Sequence, residues 1–233
     1  MRIIVTTALF ILASLISACG GGGGDTTITT TVPSTVTYQV KDAYVNYLTN
    51  TQSLPFTVTA NYQGQTATGS GTLSQDALKS GTFEGKPALQ KTSTMTGIMT
   101  GNGQTIPLAT TFVSYFDSNY SPLGDVTTGY GVVTGSINIP TTAIVGSTGV
   151  WYTENFYSSS SKTTLAGSLT VSYVLEADNS PNTALLKIIQ NITDTSNRVV
   201  SSGSINFRMT PSGTLTRISE TGVVNGLTIA IQY

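Results

Sequence analysis

The chain has 233 residues, only 9% of them charged, and its 10 basic and 11 acidic side chains nearly balance. It has no histidine and a single cysteine, which excludes Ser-His-Asp and Cys-His catalysis, the usual zinc sites and an intramolecular disulfide. The few basic residues form no patch, so the sequence offers no positively charged surface for a nucleic-acid partner.

Residues 1–18 have the order of a secretory signal peptide. Arg2 is their only charge, residues 3–16 form an apolar run broken only by small hydroxyl residues, and Ser17 and Ala18 follow. The run is shorter than the ~20 residues that cross a bilayer as a helix. The sequence therefore predicts a signal peptide rather than a transmembrane helix.

The motif Ile16-Ser17-Ala18-Cys19 resembles the lipobox of bacterial lipoproteins, and the resemblance is limited to residues 1–24. It implies that the signal peptide is removed before Cys19, which then carries diacylglycerol and usually a further acyl chain such as palmitate. Two or more chains give stable anchoring. Gly20 stands where an aspartate would hold such a protein back, so the resemblance implies a lipid anchor in the outer membrane, with its periplasmic or surface-facing side left open.

Five glycines and a Thr-rich stretch follow the cysteine, and such composition is typical of flexible coil. We therefore predict a tether over residues 19–34 and a single β-rich domain over residues 35–233. No repeat at a fixed period is present.

The first predicted element of this domain is a helix over Val40 to Asn50, because Val40, Tyr44, Tyr47 and Leu48 share one helical stripe. A second, shorter helix is predicted over Ser74 to Lys79. Residues 117–125 are predicted as a loop.

The rest of the domain alternates apolar and polar residues with the period of strands. Strands are predicted over residues 56–62, 65–73, 89–100, 105–116, 126–139 (one or two), 150–157, 165–177, 184–192, 202–209, 214–219 and 227–233. The pairs Gln63-Gly64, Asn102-Gly103 and Asn225-Gly226 are hairpin turn signals. The segment 184–192 is apolar on both faces, which predicts a central strand.

These elements predict an all-β fold, an antiparallel meander of about ten strands with one or two short helices. A small barrel, a half-barrel with a helix packed in it and a sandwich all fit the pattern. The early helix beside a long meander favours a curved sheet or a barrel.

Aromatic residues provide the first candidate site. Trp151, Tyr152, Phe156 and Tyr157 follow closely along one strand, and Tyr115, Phe116, Tyr120 and Tyr130 extend the set. They could line a pocket for a lipid, a glycan or another apolar ligand. Ordinary strand packing is the alternative, because aromatic residues are enriched in strands.

Carboxylates provide two further candidates. Glu154, Glu176 and Asp178 could supply an acid/base pair for a carboxylate-dependent hydrolase, provided that two of them face each other across a cleft. Residues 117–121 resemble the start of a calcium loop, but Pro122 and Thr128 stand where glycine and glutamate are needed, so a turn is favoured. No metal and no cofactor is predicted.

The last strand carries Leu227, Ile229, Ile231 and Tyr233 in alternation, a pattern similar to the final strand of integral outer-membrane β-barrels. The favoured hypothesis is nevertheless a non-enzymatic outer-membrane lipoprotein whose β-rich domain binds an apolar ligand or an envelope protein. An integral barrel is the first alternative, and the hydrolase is the second.

Overall fold

The computed structural model describes residues 35–127 and 129–233. The predicted signal peptide, Cys19 and the predicted tether lie outside these residues. Within them one helix and thirteen strands follow in chain order: α1 (Val40–Thr49), β1 (Gln52–Tyr62), β2 (Gln65–Gln75), β3 (Lys79–Phe83), β4 (Lys86–Gly101), β5 (Gln104–Phe116), β6 (Pro122–Val126), β7 (Tyr130–Thr134), β8 (Thr148–Tyr157), β9 (Leu165–Ala177), β10 (Ala184–Asp194), β11 (Val199–Met209), β12 (Leu215–Val224) and β13 (Leu227–Gln232).

The strands form an antiparallel meander that closes on itself. Strands β4 to β13 each pair with the next along the chain, β13 pairs with β1, β1 with β2, and β2 with β4. Twelve strands thus form a closed barrel, while β3 pairs only with β4 and stands outside the ring. The predicted all-β class is confirmed, and of the three open architectures the structure is the barrel.

Two-residue turns set much of the register, as predicted. Asn102 and Gly103 have φ of 51° and 68°, and Asn225 and Gly226 have φ of 49° and 80°. Positive φ at both central positions is the requirement of a type I′ turn, which asparagine and glycine meet at the least cost.

The first predicted helix is confirmed as α1, but the second is wrong. Ser74 and Gln75 instead end β2, where they pair with Thr94 and Ser93 of β4. The ladder bonds that close the barrel outweigh the weak local helix preference of six residues. The predicted loop over residues 117–125 is also partly wrong, since β6 begins at Pro122.

Apolar side chains point into the barrel and polar side chains point out. On β13, Leu227, Ile229 and Ile231 are buried, whereas Thr228 and Gln232 are exposed. The same alternation, with threonine or serine outside, runs along β1, β2, β4 and β9. The hydrophobic effect therefore stabilises the wall from within.

The interior divides into two apolar clusters. The first joins α1 to the inner face of β8–β11 and includes Tyr38, Val40, Ala43, Trp151, Leu169, Val171, Tyr173, Leu175, Leu186, Ile188, Phe207 and Met209. The second fills the space between β1, β2, β4, β5 and β13 with Phe56, Val58, Leu73, Met95, Met99, Leu108, Leu227, Ile229 and Ile231.

Glycines allow the closing seam between β2 and β4 to form. Gly71 faces Gly97 across this seam, and a Cβ on Gly71 would meet the backbone of β4 and the ring of Phe56. Phe56 covers the space that the missing side chain leaves, the arrangement known as aromatic rescue of a strand glycine.

Helix α1 covers the end of the barrel at which β9 and β11 end and β8 and β12 begin. Its side chains Tyr44 and Tyr47 pack edge-on against Trp151 and Phe207, with ring centroids 5.8 and 5.0 Å apart. At its C-terminus the Nζ of Lys91, which points inward from β4, donates to the carbonyl oxygens of Leu48 and Asn50 at 2.7 and 2.6 Å. A buried cation thus satisfies carbonyls that a helix end leaves unpaired.

Candidate functional site

A cavity of about 170 Å³ lies between α1 and the inner face of the barrel. Aliphatic side chains of β9 to β11, among them Val171, Leu186 and Ile188, form one wall. Aromatic side chains form much of the rest, namely Tyr44, Tyr47, Tyr115, Phe116, Trp151, Tyr152 and Phe207. An apolar, concave space with few polar groups is the usual form of a small-molecule site.

A β-bulge in β8 brings two aromatic residues to the cavity. Val150 pairs with Ser172 of β9 and Tyr152 pairs with Val171, which leaves Trp151 as the extra residue. A bulge re-aims a side chain by inserting one residue into a strand. Trp151 and Tyr152 therefore both line the cavity although they are adjacent in sequence.

Two carboxyl groups lie together in the cavity wall. Asp125 of β6 and Glu154 of β8 both line it, and Glu154 is only 2% exposed. Burial raises the pKa of Asp125 to about 7. Burial and the nearby charge of Asp125 raise the pKa of Glu154 well above its ordinary value, and a hydrogen bond from the Asp125 backbone opposes that rise. Because two close carboxyls cannot both ionise cheaply, the pair holds a proton near neutral pH.

Gly131 of β7 makes room for one of these carboxyls. A Cβ at this position would overlap the Oε1 of Glu154. Any other residue at position 131 would push Glu154 out of its place, so the glycine positions the acid pair without touching the cavity itself.

Three buried polar atoms around the cavity have no hydrogen-bond partner in the described part of the chain. They are Oδ1 of Asp125, Oε1 of Glu154 and Nε1 of Trp151, whose side chain is 5% exposed. Such atoms are rare in folded proteins, because each loses its water without a replacement. Four other such atoms lie elsewhere in the described interior, on Tyr38, Gln75, Arg217 and Glu220, but these three line or adjoin the same cavity.

A second polar group lies inside the barrel on β12. A bulge at Ile218 turns both Arg217 and Glu220 inward, where they form an ion pair that is 5% and 1% exposed at its two side chains. Arg217 also donates to the hydroxyl of Tyr47 at 3.4 Å, and the hydroxyl of Tyr233 donates to Glu220. Burial raises the pKa of Glu220, and the contacts with Arg217 and Tyr233 oppose this rise.

The structure places two of the four aromatic residues singled out from the sequence at the cavity. Trp151 and Tyr152 line it, whereas Phe156 packs on the first apolar cluster and Tyr157 pairs with Tyr130 in the β7–β8 ladder. Of the wider aromatic set, Tyr115 and Phe116 line the cavity, and Tyr120 and Tyr130 do not.

The three carboxylates proposed from the sequence as an acid/base set are not brought together. Glu176 is exposed at the end of β9. Asp178 accepts hydrogen bonds from Arg208 and Thr183 at 2.7 and 2.6 Å, and the Arg208 guanidinium lowers the pKa of that carboxyl. Glu154 alone faces inward, and its neighbour is Asp125.

Asp125 does not stand out in the sequence, because residues 117–125 carry turn residues and predict a loop. A usable signal existed for Glu154: Tyr152, Glu154 and Phe156 alternate, so a carboxylate shares its strand face with two aromatic rings. Tyr44 and Tyr47 were predicted correctly on one helical stripe, but the sequence did not indicate what that stripe contacts.

The segment that resembles a calcium loop forms a turn. Oδ1 of Asp117 accepts hydrogen bonds from the backbone N–H groups of Asn119 and Ser121, both at 2.8 Å. This is the local bonding typical of an aspartate at the start of a turn. Thr128, the other position in that motif, lies outside the described residues.

Comparison of the chain with protein-family models, with curated proteins and with solved structures found no match in any of the three. Among the described residues no helix is both long enough and apolar enough to cross a membrane. The cavity is therefore the feature on which a function can be argued.

Proposed function

We propose that the chain is a lipid-anchored envelope protein whose β-barrel binds a small, largely apolar ligand in the cavity beside α1. The observation that carries the proposal is the cavity of about 170 Å³, which has aromatic and aliphatic walls and is lined by the buried Glu154 and the partly buried Asp125. A well-packed interior has few voids larger than a water molecule, so a cavity of this size calls for an explanation.

The direction of the side chains supports a water-facing barrel over an integral outer-membrane barrel. The outward residues of β4 include Thr92, Thr94, Thr96 and Thr100, and those of β1 include Thr57 and Thr59. An integral barrel needs an apolar outward belt and has a polar interior. The alternation along the last strand follows instead from the inward packing of Leu227, Ile229 and Ile231.

The anchor rests on the lipobox-like motif at Cys19. Substitution Cys19→Ser should abolish incorporation of labelled palmitate and release the protein from outer-membrane fractions, because the serine hydroxyl does not replace the acylated thiol. Ser17→Ala is the matched control and should keep its label. Palmitate incorporation by Cys19→Ser would overturn the anchor without affecting the proposed binding role.

Binding is tested by filling the cavity. Ser114 of β5 lines the cavity, and Ser114→Leu puts a side chain of four carbon atoms there. Toluene should raise the melting temperature of the wild-type full-length chain, since a ligand that binds only the folded state stabilises it. The rise should vanish in Ser114→Leu and persist in Ser172→Leu, which changes an outward position of β9. An equal shift in all three proteins would contradict binding in the cavity.

A carboxylate-dependent hydrolase is the second candidate, because enzymes of that class use buried carboxyls with raised pKa values. In this chain the pair would be Asp125 and Glu154. Hydrolysis of chromogenic glycosides by the wild type that is lost in Glu154→Gln and kept in Glu176→Gln would replace the binding proposal. We expect no turnover, because the cavity has room for about one ring.

A further inference from the structure

The acid pair Asp125–Glu154 has no counter-charge from the part of the protein that the structure describes. Within the described residues five ion pairs form, and none includes either carboxyl. The two cations that point into the barrel are bound elsewhere: Lys91 to the carbonyls at the end of α1, and Arg217 to Glu220. A buried carboxylate without a cation is costly, and proteins relieve that cost with a proton or with a bound positive group.

The carboxyls also keep unused acceptor atoms. Oδ1 of Asp125 and Oε1 of Glu154 are buried and lack hydrogen-bond partners among the described residues, and both side chains line the cavity. An ionised carboxylate is an acceptor only, so a ligand group that satisfies these atoms and takes the place of the proton must be a donor. A hydrogen bond from a charged donor is stronger than one from a neutral donor.

Aromatic rings surround the same space. Tyr44 of α1 and Trp151 and Tyr152 of β8 line the cavity with the two carboxyls, and Tyr44 meets Trp151 edge to face. Ring faces attract cations, most strongly where water is excluded. Negative carboxyls and ring faces together favour a cation and disfavour an anion.

The volume limits the size of the ligand. A cavity of roughly 150 Å³ lined by apolar side chains holds one benzene molecule. The cavity here, of about 170 Å³, therefore has room for one ring or an aliphatic body of similar bulk, with a small charged group attached.

We propose that the cavity binds a small organic cation, a protonated amine on an apolar body of about one ring, with its ammonium group against Asp125 and Glu154. This inference rests on the proposed function, because it names the class of ligand that the same cavity takes. The ammonium N–H groups donate to the free carboxyl oxygens, and the proton held by the acid pair leaves to solvent when the ligand enters. Charge is conserved inside the barrel, since one positive group replaces another.

Three probes of similar shape test the proposal: benzylamine as the cation, toluene as the neutral body and benzoate as the anion. Their binding to the full-length chain in a non-ionic detergent is measured by calorimetry at neutral pH. Benzylamine should bind at least about tenfold more tightly than toluene, and benzoate should not bind. Asp125→Asn and Glu154→Gln should remove the preference for benzylamine while toluene binding stays, and Glu176→Gln, an exposed acid, should behave as wild type.

The outcomes separate the two proposals. Equal binding of benzylamine and toluene by the wild type would overturn the cation site and leave the apolar site standing. Failure of all three probes to bind or to change the melting temperature would overturn both.

Proton release is an independent readout that needs no variant. Calorimetry in two buffers of different ionisation enthalpy should show close to one proton released for each benzylamine bound and none for toluene. Release of no proton with benzylamine would overturn the role of the acid pair, even if Asp125→Asn and Glu154→Gln failed to fold.

Discussion

Besides the Arg217–Glu220 ion pair, three inward-facing ionisable residues in the described part of the chain lie inside the barrel at a cost that the interior must offset: Asp125 and Glu154 as a pair of acids, and Lys91 as a cation. Lys91 is satisfied by two carbonyl oxygens of the α1 C-terminus. The acids have only each other, and burial raises the pKa of both. Their ionisation therefore opposes folding.

The first prediction concerns pH. A carboxyl whose pKa is higher in the folded state than in the unfolded chain contributes stability below pH ~4, and that stability is lost as pH rises through the folded value. For Asp125 that value is about 7, so wild-type stability should fall between pH 5 and pH 8. In Glu154→Gln the fall should be smaller, and the melting temperature at pH 8 should be at least about 2 °C higher.

Other acidic residues with shifted pKa values do not affect the comparison between wild type and Glu154→Gln. The hydrogen bond from Lys162 lowers the pKa of Glu84, and hydrogen bonds from the backbone and side chain of Arg198 lower the pKa of Asp194. These two carboxyls therefore make stability rise with pH, opposite to the acid pair. Since they are present in both proteins, the difference between wild type and Glu154→Gln isolates the acid pair. A melting temperature that changed with pH in parallel in the two proteins would contradict the assignment.

The second prediction concerns the ion pair on β12. Arg217→Met leaves Glu220 buried without its cation and should cost about 3–5 kcal/mol of unfolding free energy in urea. Replacing both, Arg217→Met with Glu220→Leu, should recover most of that loss, because no buried charge remains. Lys79→Met, which breaks an exposed pair with Asp76, should change stability by no more than about 1 kcal/mol. A double variant as unstable as Arg217→Met would contradict this account.

At the scale of elements, the joint between β6 and β7 is the weakest in the barrel. Among the described residues, which leave out position 128 between these strands, its ladder consists of one residue pair, Val126 with Tyr130, whereas β4 and β5 share thirteen. The hairpin of β3 and β4 covers this joint from outside. The ring of Phe83 stacks on Tyr115 and Tyr130, with centroids 4.7 and 5.4 Å away. Glu84 at the hairpin tip accepts a hydrogen bond from Tyr130 at 2.7 Å and pairs with Lys162.

The third prediction follows from these contacts of the β3–β4 hairpin. Phe83→Ala removes both ring contacts and should cost about 3–5 kcal/mol, as for other buried phenylalanines. Hydrogen exchange should accelerate first at the amides of β6 and β7, since these have few ladder bonds of their own. Phe56→Ala, an equally buried phenylalanine in the second apolar cluster, is the control and should not single out these two strands. Uniform acceleration of hydrogen exchange in both variants would show that the hairpin does not stabilise the contact between β6 and β7.

How far the sequence predicts the fold also depends on the element. Asn102-Gly103 and the stripe through Val40, Tyr44 and Tyr47 are local signals, so the hairpin and α1 could be predicted. The β2–β4 seam pairs residues from 18 (Gln75 with Ser93) to 32 (Thr68 with Thr100) positions apart to close the ring, and nothing local encodes it. The bulges at Trp151 and Ile218 also lie beyond a period-2 pattern, because one inserted residue reverses every later side chain. For that reason the cavity could be anticipated only in part.

At the scale of the whole molecule, inward-facing polar groups lie on strands between those of the two apolar clusters. Strand β12, with Arg217 and Glu220, lies between β11 of the first cluster and β13 of the second, and β6, with Asp125, lies between β5 of the second cluster and the β7–β8 pair that carries Glu154. The first cluster includes residues of α1, and the cavity lies on that side of the interior, between α1 and the inner face of the strands.

The fourth prediction concerns residues 34–233 expressed without detergent. Because the described strands bury their apolar residues inside, this segment should stay in solution, give a β-rich circular dichroism spectrum and melt cooperatively. Tyr38→Ala removes a fully buried ring beside α1 and should lower the melting temperature without changing solubility. Material that folds only in detergent would instead favour an integral membrane barrel.

The pairing of β1 with β13 has a consequence for the order of folding. Thr57 lies opposite Gln232, so this ladder joins segments some 175 residues apart in the chain. Contacts this distant form late, since a long loop must close before they contribute any free energy. During synthesis the ring therefore stays open until β13 has emerged, and until then the edge of β1 that will pair with β13 is exposed to pairing with other strands.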